Sequence, residues 1–281
     1  MEIKTLQSFD GYPLIYRFWE TPDPRGSVVY LHGVQSHGEW FLSSCQFLAD
    51  QGYRVYVPDR RGSGLNEEKR GDCPSFSALV RDVKMFFDLA RQSAPNVPLH
   101  AVGVSWGGKL AVAAALLHPA DLDSILLVAP GLAQKVDISA REKARVLLCR
   151  LFRPTARFDI PIERPEMFTS NPERIRFMYG DTRMLKQATA RFLVESVRAG
   201  LYIKRHARQM SVPVMMMLAE IDEIVDNDSL VAFFQRVAAK KKVVKLYQGA
   251  YHTLEFEKDP LEFFRDMAHW LNGFTRPRTG G

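Results

Sequence analysis

The residues whose types and spacing could do chemistry gather around one serine. Gly103-Val104-Ser105-Trp106-Gly107 closes a short apolar run, 99–104, and leads directly into a segment of helical spacing, 106–117. A G-x-S-x-G pentapeptide at such a junction lets the chain turn sharply from strand to helix and lifts the serine hydroxyl above the sheet, at a helix N-terminus. The chemistry this suits is nucleophilic attack on a carbonyl. A pentapeptide alone also fits a serine that merely caps a glycine-rich turn; the apolar run before it and the helix after it favour the nucleophile.

A serine hydroxyl is a poor nucleophile at neutral pH, so a base must take its proton and a third group must orient that base. On a strand–helix scaffold of this kind the acid follows the serine in the chain and the histidine comes last. Of the seven histidines, His252 stands just past an apolar run, 243–247, in Gly249-Ala250-Tyr251-His252 and before the final helical segment. His32 and His37 precede the serine, His100 falls inside the run that leads to it, His118 ends a helix, and His269 lies within the last helix. For the acid, the turn after 214–218 offers Glu220, Asp222, Glu223, Asp226 and Asp228. Asp226 and Asp228 suit the N-cap of the helix that follows, whereas Asp222 stands nearer the strand end, so Asp222 is the first choice and Asp226 the second. An attacked carbonyl also needs donors for its developing negative charge, and backbone N–H groups serve. The candidates are Trp106 N–H and, in the turn His32-Gly33-Val34 after another apolar run, Val34 N–H. Asp59-Arg60-Arg61-Gly62-Ser63-Gly64 lacks phosphate-loop spacing and reads as a turn stiffened by an Asp–Arg contact.

These residues need elements to hold them. Short apolar runs at 13–19, 27–31, 53–58, 99–104 and 124–129 alternate with helical periodicity at 41–51, 76–92 and 106–117. Strand–helix alternation implies an α/β class with a mostly parallel sheet covered by helices on both faces, which explains why the later runs are continuously apolar. After Pro130 the pattern becomes Arg-rich and helical, with no strand candidate until Pro213. Ser139 to Glu142 has capping-box spacing, and Asn171-Pro172-Glu173 opens a second helix. Alternation then resumes with strand 214–218, helix 229–239, strand 243–247 and helix 260–272. The expected organisation is a core of residues 1–130 and 211–281 interrupted by a helical cap, 131–210. The closing residues 275–281 read as a tail.

Composition removes several classes. No run approaches the ~18 apolar residues of a membrane span, and the N-terminus lacks a signal-peptide pattern, so a cytoplasmic protein is expected. Three cysteines, Cys45, Cys73 and Cys149, suggest neither a zinc site nor a disulfide framework. The net charge of +6 is uneven, because residues 131–210 hold 17 Lys/Arg against 8 Asp/Glu. No recognition-helix or aromatic pattern accompanies that charge, and nucleic acid is not an expected partner. The run from Arg141 to Arg157 reads as a basic amphipathic helix and its exit. Two readings follow: a cap helix with its apolar face on the core, or one resting on an anionic membrane surface.

Taken together, Asp10-Gly11, Leu31-His32-Gly33, Asp59 to Gly64, Gly103 to Gly108, Ala219-Glu220-Ile221-Asp222 and Gly249 to His252 resemble, in order, the α/β-hydrolase superfamily. Within it they resemble the monoacylglycerol lipase and lysophospholipase-like serine hydrolases. The resemblance implies a Ser105, Asp222 and His252 triad, oxyanion donors at Val34 and Trp106, a helical cap after the sixth strand, no cofactor and no metal. It implies cleavage of carboxylic esters, monoacylglycerol or lysophospholipid-like, through an acyl-enzyme. The elbow departs from the family, with Val104 where histidine is usual and Trp106 where methionine is. That indole is expected to crowd or reshape the acyl pocket, so a carboxylesterase or thioesterase for short or bulky acyl groups is the alternative. A non-catalytic ligand-binding protein is the reading from another class. Tryptophan after the nucleophile also resembles haloalkane dehalogenases, but those require aspartate where Ser105 stands.

Overall fold

The computed structural model describes residues 1–162 and 164–275. The chain opens with strand β1 (Glu2–Gln7), followed by β2 (Pro13–Trp19), β3 (Gly26–Leu31), helix α1 (Leu42–Asp50), β4 (Tyr53–Pro58), α2 (Phe76–Ser93), β5 (Leu99–Val104), α3 (Gly107–Leu117) and β6 (Ser124–Val128). A second stretch holds α4 (Ala140–Phe152), β7 (Arg157–Asp159), α5 (Pro172–Gly180), β8 (Gln187–Thr189) and α6 (Ala190–His206). The chain returns through β9 (Val214–Ile221), α7 (Asn227–Gln235), β10 (Lys242–Tyr251) and α8 (Leu261–Asn272).

Eight strands form one sheet in the order β1-β2-β4-β3-β5-β6-β9-β10. The pairings from β4 to β10 are parallel, while β1 and β2 enter antiparallel. Every residue of β3, β5 and β6 is buried, as the unbroken apolar runs require of strands covered on both faces. The expected α/β-hydrolase architecture is therefore present, with a helical cap inserted between β6 and β9. Residues 276–281, most of the expected tail, lie outside the described residues.

Helix starts follow the local chemistry. The Ser75 hydroxyl accepts from Ala78 N at α2, Ser139 and Glu142 form the expected capping box at α4, and Asn171 caps α5 ahead of Pro172. Two strand expectations need correcting. The inserted segment is not free of strands, since β7 and β8 pair antiparallel through Phe158 and Ala188. Three residues each are too few for a period of two to show. β1 is also absent from the sequence reading, because an edge strand with mostly exposed side chains has no apolar run.

α4 does not sit as the first of its two readings expects. Its apolar residues do not lie on the core: Leu147, Leu148, Leu151 and Phe152 are 58% to 76% exposed, and Val146 is the helix's buried residue. Val146 packs with Phe158 and Ala190 in a small cluster separate from the main core.

Candidate active site

The strand-to-helix turn is built as the pentapeptide demands. Ser105 takes φ +51°, a left-handed conformation unusual for a residue with a Cβ. It is held there because its amide donates to Val128 O at 2.9 Å and its carbonyl accepts from Gly108 N and Gly131 N. Gly107 has no alternative, since a Cβ there would overlap the Leu31 carbonyl oxygen. The turn is thus clamped between the ends of β3 and β6, leaving the Ser105 side chain partly open at the sheet's C-terminal edge.

His252 lies one residue past β10, buried, with Nδ1 at 2.7 Å from Asp222 Oδ2. A carboxylate only accepts, so Nδ1 carries the proton and Nε2 keeps a lone pair. Asp222 follows β9 directly, and its other oxygen accepts from Ile224 N at 2.8 Å and Val225 N at 2.9 Å. Every interaction of that carboxylate therefore fixes it toward the imidazole. Nε2 of His252 is buried without a hydrogen-bond partner among the described residues. It belongs to a narrow crevice whose walls include Ser105, Gly33, Val34 and Phe168. Asp226, the second-choice acid, is the N-cap of α7, accepting from Ser229 N at 2.9 Å, and makes no bond to His252.

The loop after β3 lies against the serine. A Cβ on Gly33 would stand 3.3 Å from Ser105 Cβ, so glycine is what lets the loop approach. Arg60 fastens it: its guanidinium donates to Gly33 O at 3.1 Å and Val34 O at 3.0 Å. With both carbonyls turned to Arg60, the amide of Val34 stays uncommitted among the described residues, as does that of Trp106. The same guanidinium lies 4.8 Å over the Trp106 ring and 5.1 Å over Phe192. Burial pulls its pKa down to about 10, which leaves it charged at neutral pH.

His32, His37 and His100 have structural partners. His32 accepts from Arg60 N through Nε2 and donates to Gly33 O through Nδ1, and burial drives its pKa down to about 3. His100 bonds Ser124 Oγ, and His37 meets Asp181 of the cap at 2.9 Å. In the Asp59 turn the expected Asp–Arg contact forms, but with Arg17 of β2; Arg61 instead pairs with Asp82 and Asp10.

Beside Ser105 opens a cavity of about 560 Å³ between core and cap, lined mainly by apolar side chains such as Leu132, Val146, Ile160, Phe192 and Leu201. That volume is typical of a small-molecule site. Trp106 lines it with its indole tilted against Phe192, ring centroids 5.0 Å apart, and pinned by a 2.8 Å bond from Nε1 to Ser196 Oγ. The sequence reading places Arg60 only in a stiffened turn and misses Lys109 and Ser196. Lys109 alone left a signal, as the single charge in the helix sequence GGKLAVAAALL.

A mostly parallel sheet with an inserted cap, a serine on a left-handed strand-to-helix turn and an Asp–His pair later in the chain define an α/β-hydrolase of the serine ester hydrolase class. The chain belongs to the family described as "Serine aminopeptidase, S33", whose model matches residues 22–259. Among curated proteins it is 24% identical to monoglyceride lipase of Homo sapiens, over 99% of this chain and 91% of that protein. Among solved structures it resembles a soluble variant of monoglyceride lipase from Saccharomyces cerevisiae, at 22% identity and TM-score 0.87, covering 98% of this chain and 96% of that one. A thermostable carboxyl esterase from Bacillus coagulans has the same fold, at 17% identity and TM-score 0.85, covering 98% and 99%.

Proposed function

We propose that this enzyme hydrolyses monoacylglycerol or lysophospholipid-like esters with Ser105 as nucleophile, His252 as base and Asp222 as its orienting acid. The observation that carries the assignment is the buried Asp222–His252 pair, with its second imidazole nitrogen uncommitted in the crevice that Ser105 also lines. Nε2 takes the hydroxyl proton as Ser105 Oγ attacks the ester carbonyl. The oxyanion of the tetrahedral intermediate accepts from Val34 N–H and Trp106 N–H. His252 then gives its proton to the leaving alcohol, activates a water and regenerates the serine, while Asp222 stabilises the imidazolium throughout. Residues 131–210 act as the cap over a core of 1–130 and 211–281, and the enzyme works in the cytoplasm.

The mostly apolar lining favours an acyl chain over a peptide, and the cavity's basic side chains, Lys109, Lys143, Arg198 and Lys204, are ill suited to a free α-ammonium group. Trp106 in the wall supports a second reading, an esterase or thioesterase for short or bulky acyl groups. The deciding experiment is hydrolysis of p-nitrophenyl esters of increasing chain length, wild type beside Ser105→Ala. Activity that the variant abolishes, with an optimum at medium or long chains, is the expected result. An optimum at acetate selects the esterase reading, and equal rates for both proteins reject Ser105.

The basic, apolar α4 is also the part of the cap we assign to peripheral contact with an anionic membrane surface. Among the described residues no helix is long and apolar enough to cross a membrane.

A further inference from the structure

Lys109 is out of place by every rule of burial. It sits four residues past Ser105 on α3, is 5% exposed, and lines the same cavity. A buried ammonium normally has a carboxylate beside it. Lys109 has none among the described residues: its one hydrogen bond runs from Nζ to Ser196 Oγ at 3.2 Å, and the charged neighbour that acts on it is a second cation, Lys204. Burial, with Lys204 adding to it, pushes its pKa down to about 8, so the cation persists at neutral pH at a cost. The carboxylate that lines the cavity, Asp137, is already paired with Lys143, and Arg198 is paired with Glu195.

Donor bookkeeping at Ser196 sharpens the point. Its hydroxyl oxygen accepts from both Trp106 Nε1 and Lys109 Nζ, so both lone pairs are used and its own O–H must point elsewhere. Two N–H groups of Lys109 and the O–H of Ser196 thus have no acceptor among the described residues, in a cavity that also holds the nucleophile. Such a group of donors lacks an acceptor that bears negative charge.

We propose that Lys109 and Ser196 form an anion subsite, so that the preferred esters carry a second, anionic group, a phosphate or a carboxylate. The inference rests on the ester-hydrolase reading above and narrows its substrate class. When such a substrate binds, its phosphate or carboxylate oxygens accept from Lys109 Nζ and Ser196 Oγ while the ester carbonyl lies at Ser105. Lys204, at the exposed rim, adds long-range attraction.

Two matched pairs test this and separate the sources of the anion. p-Nitrophenyl hexanoate beside mono-p-nitrophenyl adipate places a carboxylate on the acyl side; hexanoylglycerol beside hexanoylglycerol phosphate places a phosphate on the alcohol side. We expect the anionic member of at least one pair to have the higher kcat/KM in wild type, by about tenfold, as a charge-assisted bond would give. Lys109→Met should erase that ratio and Ser196→Ala reduce it. Neutral esters turned over with no anionic preference in either pair, or a preference that survives Lys109→Met, overturns the subsite while leaving the hydrolase intact. No turnover of any of the four sinks both. Because Lys109→Met could fold poorly, wild type is also inhibited with hexyl phosphate and with hexanol during hydrolysis of the neutral ester. Stronger inhibition by the phosphate supports the subsite, and equal inhibition refutes it.

Discussion

Single side chains here are held by very different means, and substitutions should sort accordingly. Asp222 gives all its oxygens to His252 and two amides, so Asp222→Asn should lower kcat by about 10⁴-fold, through the wrong imidazole tautomer, with KM little changed. Asp226 caps a helix at the surface; Asp226→Asn should leave kcat within a few fold and Tm nearly unchanged, since asparagine caps as well as aspartate. The opposite ranking in steady-state kinetics would remove Asp222 from the triad. Both residues could be weighed in the sequence because strand end and helix start differ by four positions. Glu255 could not be. It is buried three residues past His252, with one oxygen accepting from Ser44 N and the other without a partner among the described residues, and burial raises its pKa to about 7. A carboxyl whose pKa is higher in the folded state binds its proton there more tightly than when unfolded. Its contribution to stability is therefore full below the ordinary glutamate range and is lost as pH rises from about 4.5 to about 7. Glu255→Gln should flatten that part of a Tm-against-pH curve and raise Tm above pH 7; an unchanged curve would refute the assignment.

At the scale of elements, legibility followed length and burial. β3, β5 and β6 announced themselves as continuous apolar runs because both faces are covered, α2 through its helical period and α4 through its capping box. β1, β7 and β8 were illegible, being an exposed edge or only three residues long. For α4 the periodicity was visible, but the side to which its apolar face turns depends on how the cap seats, which no local pattern records. That face is open, with arginines along the same helix, and it is the surface on which the proposed contact with an anionic bilayer rests. Replacing both Leu151 and Phe152 with serine should weaken co-sedimentation with vesicles rich in anionic lipid by about tenfold. Hydrolysis of a short soluble ester should be unaffected, since neither residue lines the cavity. Equal sedimentation of both proteins would count against membrane contact.

The whole molecule is a core and a cap joined by bonds that only the folded chain brings together. Asp181 of the cap accepts from His37 at 2.9 Å and Trp40 at 2.8 Å, next to the loop that carries Val34. On the other side Asp72 accepts from Thr189 Oγ1 at 2.7 Å and Arg191 Nε at 3.0 Å, and Thr189 N donates to Gly71 O. Partners so distant in sequence leave no trace in composition, which is why the cap was visible as an insertion but its seating was not. Asp72→Ala should therefore leave the Ser105 turn intact yet lower Tm, by a few degrees for about 1 kcal/mol, in a chain of this size. No change in Tm would mean that this contact does not hold the cap. Those anchors secure α6 and the end of α5, whereas α4 touches the interior chiefly through Val146. The cap is thus tethered unevenly, and thermal opening should begin at its loosest member. Backbone deuterium uptake should be fastest across 140–152 and slow across 190–206, which would make the α4 side, rather than the anchored side, the doorway by which an ester enters and its products leave.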